Sequence, residues 1–96
     1  MDGAIVGCIQ VAIDKAYTAA VLCLRTEEEG IIAQPGGAEF GINSSHGGRI
    51  MLLAGGVPIK YGKTVVGAVG CSPGTVDQDA AVATAGAVAI EKRISR

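Results

Sequence analysis

Thr64–Ile94, TVVGAVGCSPGTVDQDAAVATAGAVAIEKRI, decides the fold. Its first part, Thr64–Cys71, places small apolar residues on both faces of a strand (Thr64, Val66, Ala68, Gly70 against Val65, Gly67, Val69, Cys71), so both faces are expected to be covered. Ser72-Pro73-Gly74 ends that strand, and Thr75 with Gln78 forms a T-x-x-Q capping box that opens a helix to about Ile94. Val76, Ala80, Ala83, Ala87, Ile90 and Ile94 make the helix's apolar stripe. Upstream, Gly62-Lys63 turns the chain. Arg49–Tyr61, RIMLLAGGVPIKY, reads as one extended segment broken by a bulge or bend at Gly55-Gly56. Pro58 belongs where no ladder donor is needed.

Gly41–Gly48, GINSSHGG, lacks any period and is a loop. Before it, Thr26 and Glu29 read as a T-x-x-E capping box opening a short helix that Pro35-Gly36-Gly37 stops. The N-terminal part is helical from about Gly7 to Leu24, with Ile9, Ile13, Ala16, Tyr17, Ala20 and Leu24 on one stripe. Val11, Lys15, Thr18 and Leu22 form another strip, in which Lys15 interrupts an apolar run. The expected fold is α+β: one domain over residues 1–96, a small antiparallel sheet flanked by helices.

Composition limits the function. Of 96 residues, 49% are hydrophobic and 18% charged, which excludes a solvated disordered tail. The net charge of −1 offers no attraction to nucleic acid or an anionic membrane surface. No run reaches the roughly 18 apolar residues of a membrane span, and the first basic residue is Lys15, too late for a signal peptide's basic start. Three widely spaced cysteines, Cys8, Cys23 and Cys71, without a C-x-x-C, point to free thiols and the cytoplasm. A mean hydropathy of +0.43 on so small a chain implies burial against another chain, so a symmetric homo-oligomer is expected, through the Val11/Leu22 strip or the Ala85/Val88/Ala89 side of the last helix.

No reaction is written in the residues. The strand–loop–helix at Gly67–Thr75 has the layout of an anion site, but Asp77 and Asp79 already answer the helix dipole and repel phosphate. His46 is the sole histidine and lacks metal-ligand spacing, and no nucleophile elbow surrounds Ser44, Ser45 or Ser72.

MDGA at Met1–Ala4, DKAYTA at Asp14–Ala19, FGINSSHGGRI at Phe40–Ile50 and GGVPIKYGKTVVGAVGCSPGTVDQDAAVATAG at Gly55–Gly86 resemble, in order and spacing, the haem-binding and haem-degrading HbpS-like family. That family includes the glycolate-operon GlcG protein and the C-terminal domain of PduO-type cobalamin adenosyltransferases. The matching positions include Lys15, Thr18, Asn43, Arg49, Gly55, Gly56, Pro58, Gly67, Gly70, Gly74, Gln78, Asp79 and Gly86; a bend explains Gly55-Gly56, and close helix approach is expected at Gly67 and Gly86. The resemblance implies a homo-oligomer with haem as ligand. It also implies a first helix, carrying a histidine that some members offer to haem iron, and a strand hairpin, both expected to be missing here. Cys71, Ser72 and Pro73 replace the family's usual small or Gly-rich pattern.

Three functions follow as expectations: an oligomeric tetrapyrrole-binding accessory protein, a structural assembly module without a ligand, or an enzyme, haem-degrading or of another kind. The expected ligand site is bordered by Lys15, Thr18, Asn43, His46 and Arg49 and lies between subunits. There Arg49 meets a carboxylate of the ligand, or else ties strand to helix through Asp77 or Asp79.

Overall fold

The computed structural model describes residues 3–72 and 74–94; Met1, Asp2 and Pro73, on which part of the resemblance and of the strand-ending turn rest, lie outside them. Helix α1 spans Gly3–Leu22, α2 Thr26–Ile32 and α3 Val76–Ile94, and strands β1, Gly56–Tyr61, and β2, Thr64–Gly70, pair antiparallel across a tight turn at Gly62, whose φ is +64°. Two single-turn 3-10 helices, Ile42–Ser44 and His46–Gly48, shape the long loop before β1. Helix α1 lies on one face of the hairpin and α3 on the other. Val57 and Ile59 pack on Ala83 and Ala87, with Val69 and Cys71 at the margin. Gly56 and Gly70 lie beneath α1, against Lys15, Ala12 and Ala16.

The T-x-x-Q box forms as expected: Thr75 N–H donates to Gln78 Oε1 at 2.9 Å, and Gln78 N–H to Thr75 Oγ1 at 3.1 Å. The box expected at Thr26 and Glu29 does not. Arg25 is the N-cap of α2, and its N–H donates to Glu28 Oε1 at 2.9 Å. Thr26 is drawn inward: its hydroxyl donates to the Leu53 carbonyl at 2.6 Å and accepts from Gly56 N–H at 3.0 Å.

The same bonds explain why Arg49–Tyr61 is not one strand. Thr18 Oγ1 accepts from Met51 N–H at 2.8 Å and lies 3.2 Å from the Arg49 carbonyl oxygen, while Thr26 holds Leu53 and Gly56. Two buried threonine hydroxyls thus take the backbone groups that a neighbouring strand would have satisfied, so strand pairing begins only at Gly56. Gly55, at φ +125°, makes the expected bend; the register shift falls later, between Ile59 and Lys60.

Both helix stripes need correction. Among the described residues of α1, Asp14, Lys15, Thr18 and Ala19 are buried, whereas Ile9 and Ile13 are about half exposed. The sheet beneath presents glycines, which admit the helix backbone and leave no depression for isoleucine. On α3 only the centre of the stripe, Ala83 and Ala87, is buried, and Val76, Ile90 and Ile94 are exposed. A 19-residue helix runs roughly 28 Å and a strand of six or seven residues roughly 20 Å, so α3 overhangs the hairpin at both ends. The glycines change roles as well. A methyl on Gly67 would meet only Ile59 at 3.8 Å, and one on Gly86 only Val69 at 3.6 Å. Close approach belongs instead to Gly30, Gly56 and Gly70, where a methyl would run into the backbone oxygens of Leu52, Lys15 and Ala12.

Candidate functional site

The expected site residues separate into an interior group and a surface group. Lys15 is in the interior, 2% exposed; its Nζ donates to Asp79 Oδ2 at 3.0 Å and to the Cys71 carbonyl at 2.9 Å. Asp79 Oδ1 accepts from Gly74 N–H at 2.8 Å. Gly55 sits over this ion pair, with room for no side chain: a methyl there would lie 2.8 Å from Lys15 Nζ. The Lys15 charge is therefore consumed in tying α1 to the end of β2 and the first turn of α3. Burial and the Asp79 charge push the Cys71 thiol above its ordinary value, with Lys15 opposing. Cys23 is exposed, so it is expected to alkylate well before Cys71, as peptide mapping after brief iodoacetamide treatment will measure.

The surface group forms where α1 meets the 3-10 loop. Residues 10, 14, 17 and 18 are three or four apart and share one side of α1. Gln10 Nε2 donates to Asp14 Oδ1 at 2.9 Å, and Arg49 Nε donates to the same oxygen at 3.1 Å. The Arg49 guanidinium lies 3.8 Å from the centroid of the Tyr17 ring, a cation–π contact, and the His46 ring meets Tyr17 edge-on at 6.3 Å. Arg49 thus binds Asp14, not Asp77 or Asp79, and stays 43% exposed. Thr18 lies behind it, its hydroxyl donating to the Asp14 carbonyl at 2.7 Å and accepting from Met51 N–H. Asn43 is exposed on the first 3-10 turn, apart from these contacts.

The His46 ring is oriented by the serine before it. The Ser45 hydroxyl donates its proton to the Ile42 carbonyl at 2.5 Å, so toward His46 Nδ1, 2.7 Å away, it can only accept. The network places a proton on Nδ1, and Nε2 has no hydrogen-bond partner among the described residues. An imidazole whose Nδ1–H is engaged and whose Nε2 is open has the orientation of a metal-ligating histidine. The ring is exposed, on a backbone with φ +53°. Ile13 and Ile9, exposed one and two turns from Tyr17, continue the surface with apolar area.

A groove of about 580 Å3 lies elsewhere, along Gly70, Cys71, Ser72, Gly74, Gln78, Asp79 and Val82. Its charges are acidic and its nearest cation is already paired with Asp79, so it suits an anionic ligand less well than the Arg49 surface. Among the described residues, no three acidic, Cys or His side chains cluster to hold a metal ion, and no single helix is long and apolar enough to cross a membrane.

Sequence reasoning missed Asp14 and Tyr17 as the partners of Arg49, although their spacing to Thr18 was a signal. It also missed Glu29, 1% exposed on α2, with neither carboxyl oxygen paired. Burial, together with the neighbouring Glu39 carboxyl, pushes its pKa up to about 7. A raised carboxyl pKa favours the fold while protonated. That contribution is full below the unfolded-state value of 4.5 and is lost as pH rises through about 7. Urea unfolding should show stability declining across this window by about 1–2 kcal/mol after discounting for solvent near the exposed Glu39, and Glu29→Gln should flatten the decline.

The comparisons agree with this architecture. The family model described as haem degrading protein HbpS-like matches residues 1–88. An uncharacterized 15.0 kDa protein from the dhaT-dhaS intergenic region of Citrobacter freundii is 40% identical over 79 residues, 82% of this chain and 56% of that protein. Corrinoid adenosyltransferase PduO of Salmonella typhimurium is 31% identical over 90 residues, 94% of this chain and 27% of that protein. The chain thus spans about half, or less, of these relatives. Among solved structures, Klebsiella pneumoniae protein ORFY, of family DUF336, superposes with a TM-score of 0.84 at 35% identity, over 92% of this chain and 61% of its own. A PduOC:heme complex superposes at 0.83 and 30% identity, over 93% and 64%. With a matching α+β fold and a family model covering nearly its whole length, the chain belongs to the HbpS-like family.

Proposed function

We propose that this chain binds a haem-type tetrapyrrole on the surface shared by α1 and the 3-10 loop, as an oligomeric accessory protein of the cytoplasm. The observation that carries this reading is the His46 arrangement: a proton fixed on Nδ1, a free Nε2 facing solvent, and Tyr17 and Arg49 beside it. The residues fit the group in kind. Nε2 would ligate iron, the Arg49 guanidinium would meet a propionate, and Tyr17, Ile13 and Ile9 would take the apolar ring edge. When bound, haem supplies a redox-active iron whose remaining coordination position and potential the surrounding protein tunes. The chain's own contribution is to orient the imidazole through Ser45 and the guanidinium through Asp14. Three free thiols agree with a reducing compartment. The likeness to a PduOC:heme complex and the haem-related family support the ligand class.

Titrating haemin into the protein is expected to give a shifted Soret band that saturates. His46→Ala should abolish the shift, and Arg49→Ala should weaken binding about tenfold, the worth of one charge-assisted hydrogen bond. Lys15 and Asn43 are not assigned ligand contacts in this reading, so Asn43→Ala should bind as wild type. An unsaturable, featureless response would remove the proposal.

A further inference from the structure

The buried carboxyl of Glu29 is apart from the ligand surface, yet it stands where the loop carrying that surface is joined to α2. Glu29 is 1% exposed, and neither of its oxygens has a hydrogen-bond partner or contact with solvent within this chain. The basic groups of the neighbouring elements are engaged or exposed: Arg25 is bound to Glu27 and Thr84, Lys15 to Asp79 and Arg49 to Asp14, and Lys60 is on the surface of β1. On α2 itself Glu28 caps the Arg25 N–H, and Cys23 before it is exposed. The Leu52–Ala54 segment against α2 is uncharged. Among the described residues, the charge that acts on Glu29 is the Glu39 carboxyl, brought by the loop. A carboxylate closed off from water, donors and cations is strongly disfavoured, so the buried form of Glu29 is the neutral acid.

Glu39 is also the joint of the loop. Its N–H donates to the Ile32 carbonyl at the end of α2, at 3.0 Å, and its carbonyl accepts from Ile42 N–H at 3.1 Å. The Ile42 carbonyl accepts in turn from the Ser45 N–H at 2.9 Å and from the Ser45 hydroxyl, which orients the His46 ring. We propose that Glu29 and Glu39 are a proton-operated latch: the neutral Glu29 acid offers its proton to the Glu39 carboxylate and holds the loop on α2, and ionised Glu29 repels Glu39 and releases it. The proton comes from water and returns to water. The Glu29 oxygens have no open face for a cation with its waters, so a proton is the occupant they admit. Release hydrates Glu29 and loosens the Ile42–Ser45 turns behind His46. Docking is therefore complete below 4.5 and is lost as pH rises through about 7. Control of tetrapyrrole binding rests on the reading proposed above, whereas the latch itself stands on Glu29, Glu39 and the loop bonds.

Carbon-13 detection of the Glu29 carboxyl follows its titration directly, and a 1H–15N spectrum follows the loop. The Ile42 and Ser45 amide shifts should move with the same midpoint as the Glu29 carboxyl, at about 7. Glu29→Gln should abolish that shared transition. Glu39→Gln, a change at an exposed side chain, should lower its midpoint by removing the repelling charge. Haemin titrations read the consequence: the ratio of wild-type to Glu29→Gln affinity should fall by about three- to tenfold between about pH 6 and about pH 8.5, because the docked fraction sets the apparent affinity. Loop amides that ignore Glu29, or that titrate identically in Glu29→Gln, overturn the latch. So does calcium that restores the acid-form loop spectrum of wild type at about pH 8.5, which would make the pair a cation site. A constant affinity ratio overturns the control of binding and leaves haemin binding intact. Absence of haemin binding at every pH removes the ligand reading alone, and the loop titration still decides the latch.

Discussion

Lys15→Met is expected to lower the unfolding free energy by about 3–5 kcal/mol, because it strands a carboxylate in the interior. Asp79 is 6% exposed, and its Oδ2 has Lys15 Nζ as partner at 3.0 Å. Methionine fills the volume but donates nothing, so the Cys71 carbonyl also loses its bond to Nζ. A domain of this size is worth about 5–10 kcal/mol in total, so the variant is expected to lose roughly half of its stability. The penalty comes from the unpaired charge more than from the loss of attraction. Lys15→Met combined with Asp79→Leu should therefore recover most of it, and the double-mutant cycle should show strong coupling. Urea unfolding followed by circular dichroism makes the measurement. Equal stability of Lys15→Met and wild type would show that the pair does not hold α1 to α3.

Gly70→Ala is the second large effect, expected at about 3 kcal/mol, the upper end of the cost of overpacking. The new methyl would drive into the Ala12 carbonyl oxygen and come within 2.8 Å of the Ala16 nitrogen. Both are backbone atoms of α1 and cannot rotate aside, so the whole helix must lift from the sheet. Gly67→Ala, three residues earlier on the same strand, is the control. Its methyl meets only Ile59 at 3.8 Å, and the gain from restricting the unfolded chain should leave it neutral or more stable by about 0.4–1 kcal/mol. Thermal unfolding of the two variants side by side reads the difference. Similar melting temperatures would mean that α1 does not rest on Gly70.

How much of this was visible in the sequence depends on which signals are local. The Thr75/Gln78 box, the Gly62 turn and the β2–α3 succession involve neighbours in sequence, and all three are found. The α1 core face was misread because apolar periodicity points to Ile9 and Ile13, whereas a glycine-lined sheet accepts small and polar residues, Ala19, Thr18 and Lys15. The Arg49–Gly55 segment was misread because an apolar run whose backbone groups are satisfied by threonine hydroxyls looks, in sequence, like a strand. The site was legible in part. Arg49 and His46 stood out as polar groups in a glycine-rich loop, but their partners Asp14 and Tyr17 lie more than 28 positions away on α1. No spacing rule joins them.

The central claim is the place where a tetrapyrrole docks, and paramagnetic broadening by ferric haemin in a 1H–15N correlation spectrum tests it most directly. The account predicts selective, saturating loss of the Ile13, Tyr17, His46 and Arg49 amide signals, with the His46 side-chain Nε2 signal lost first and Nδ1–H present in the free protein. Broadening centred on Cys71, Gln78 and Val82, or spread evenly over the chain, would contradict it.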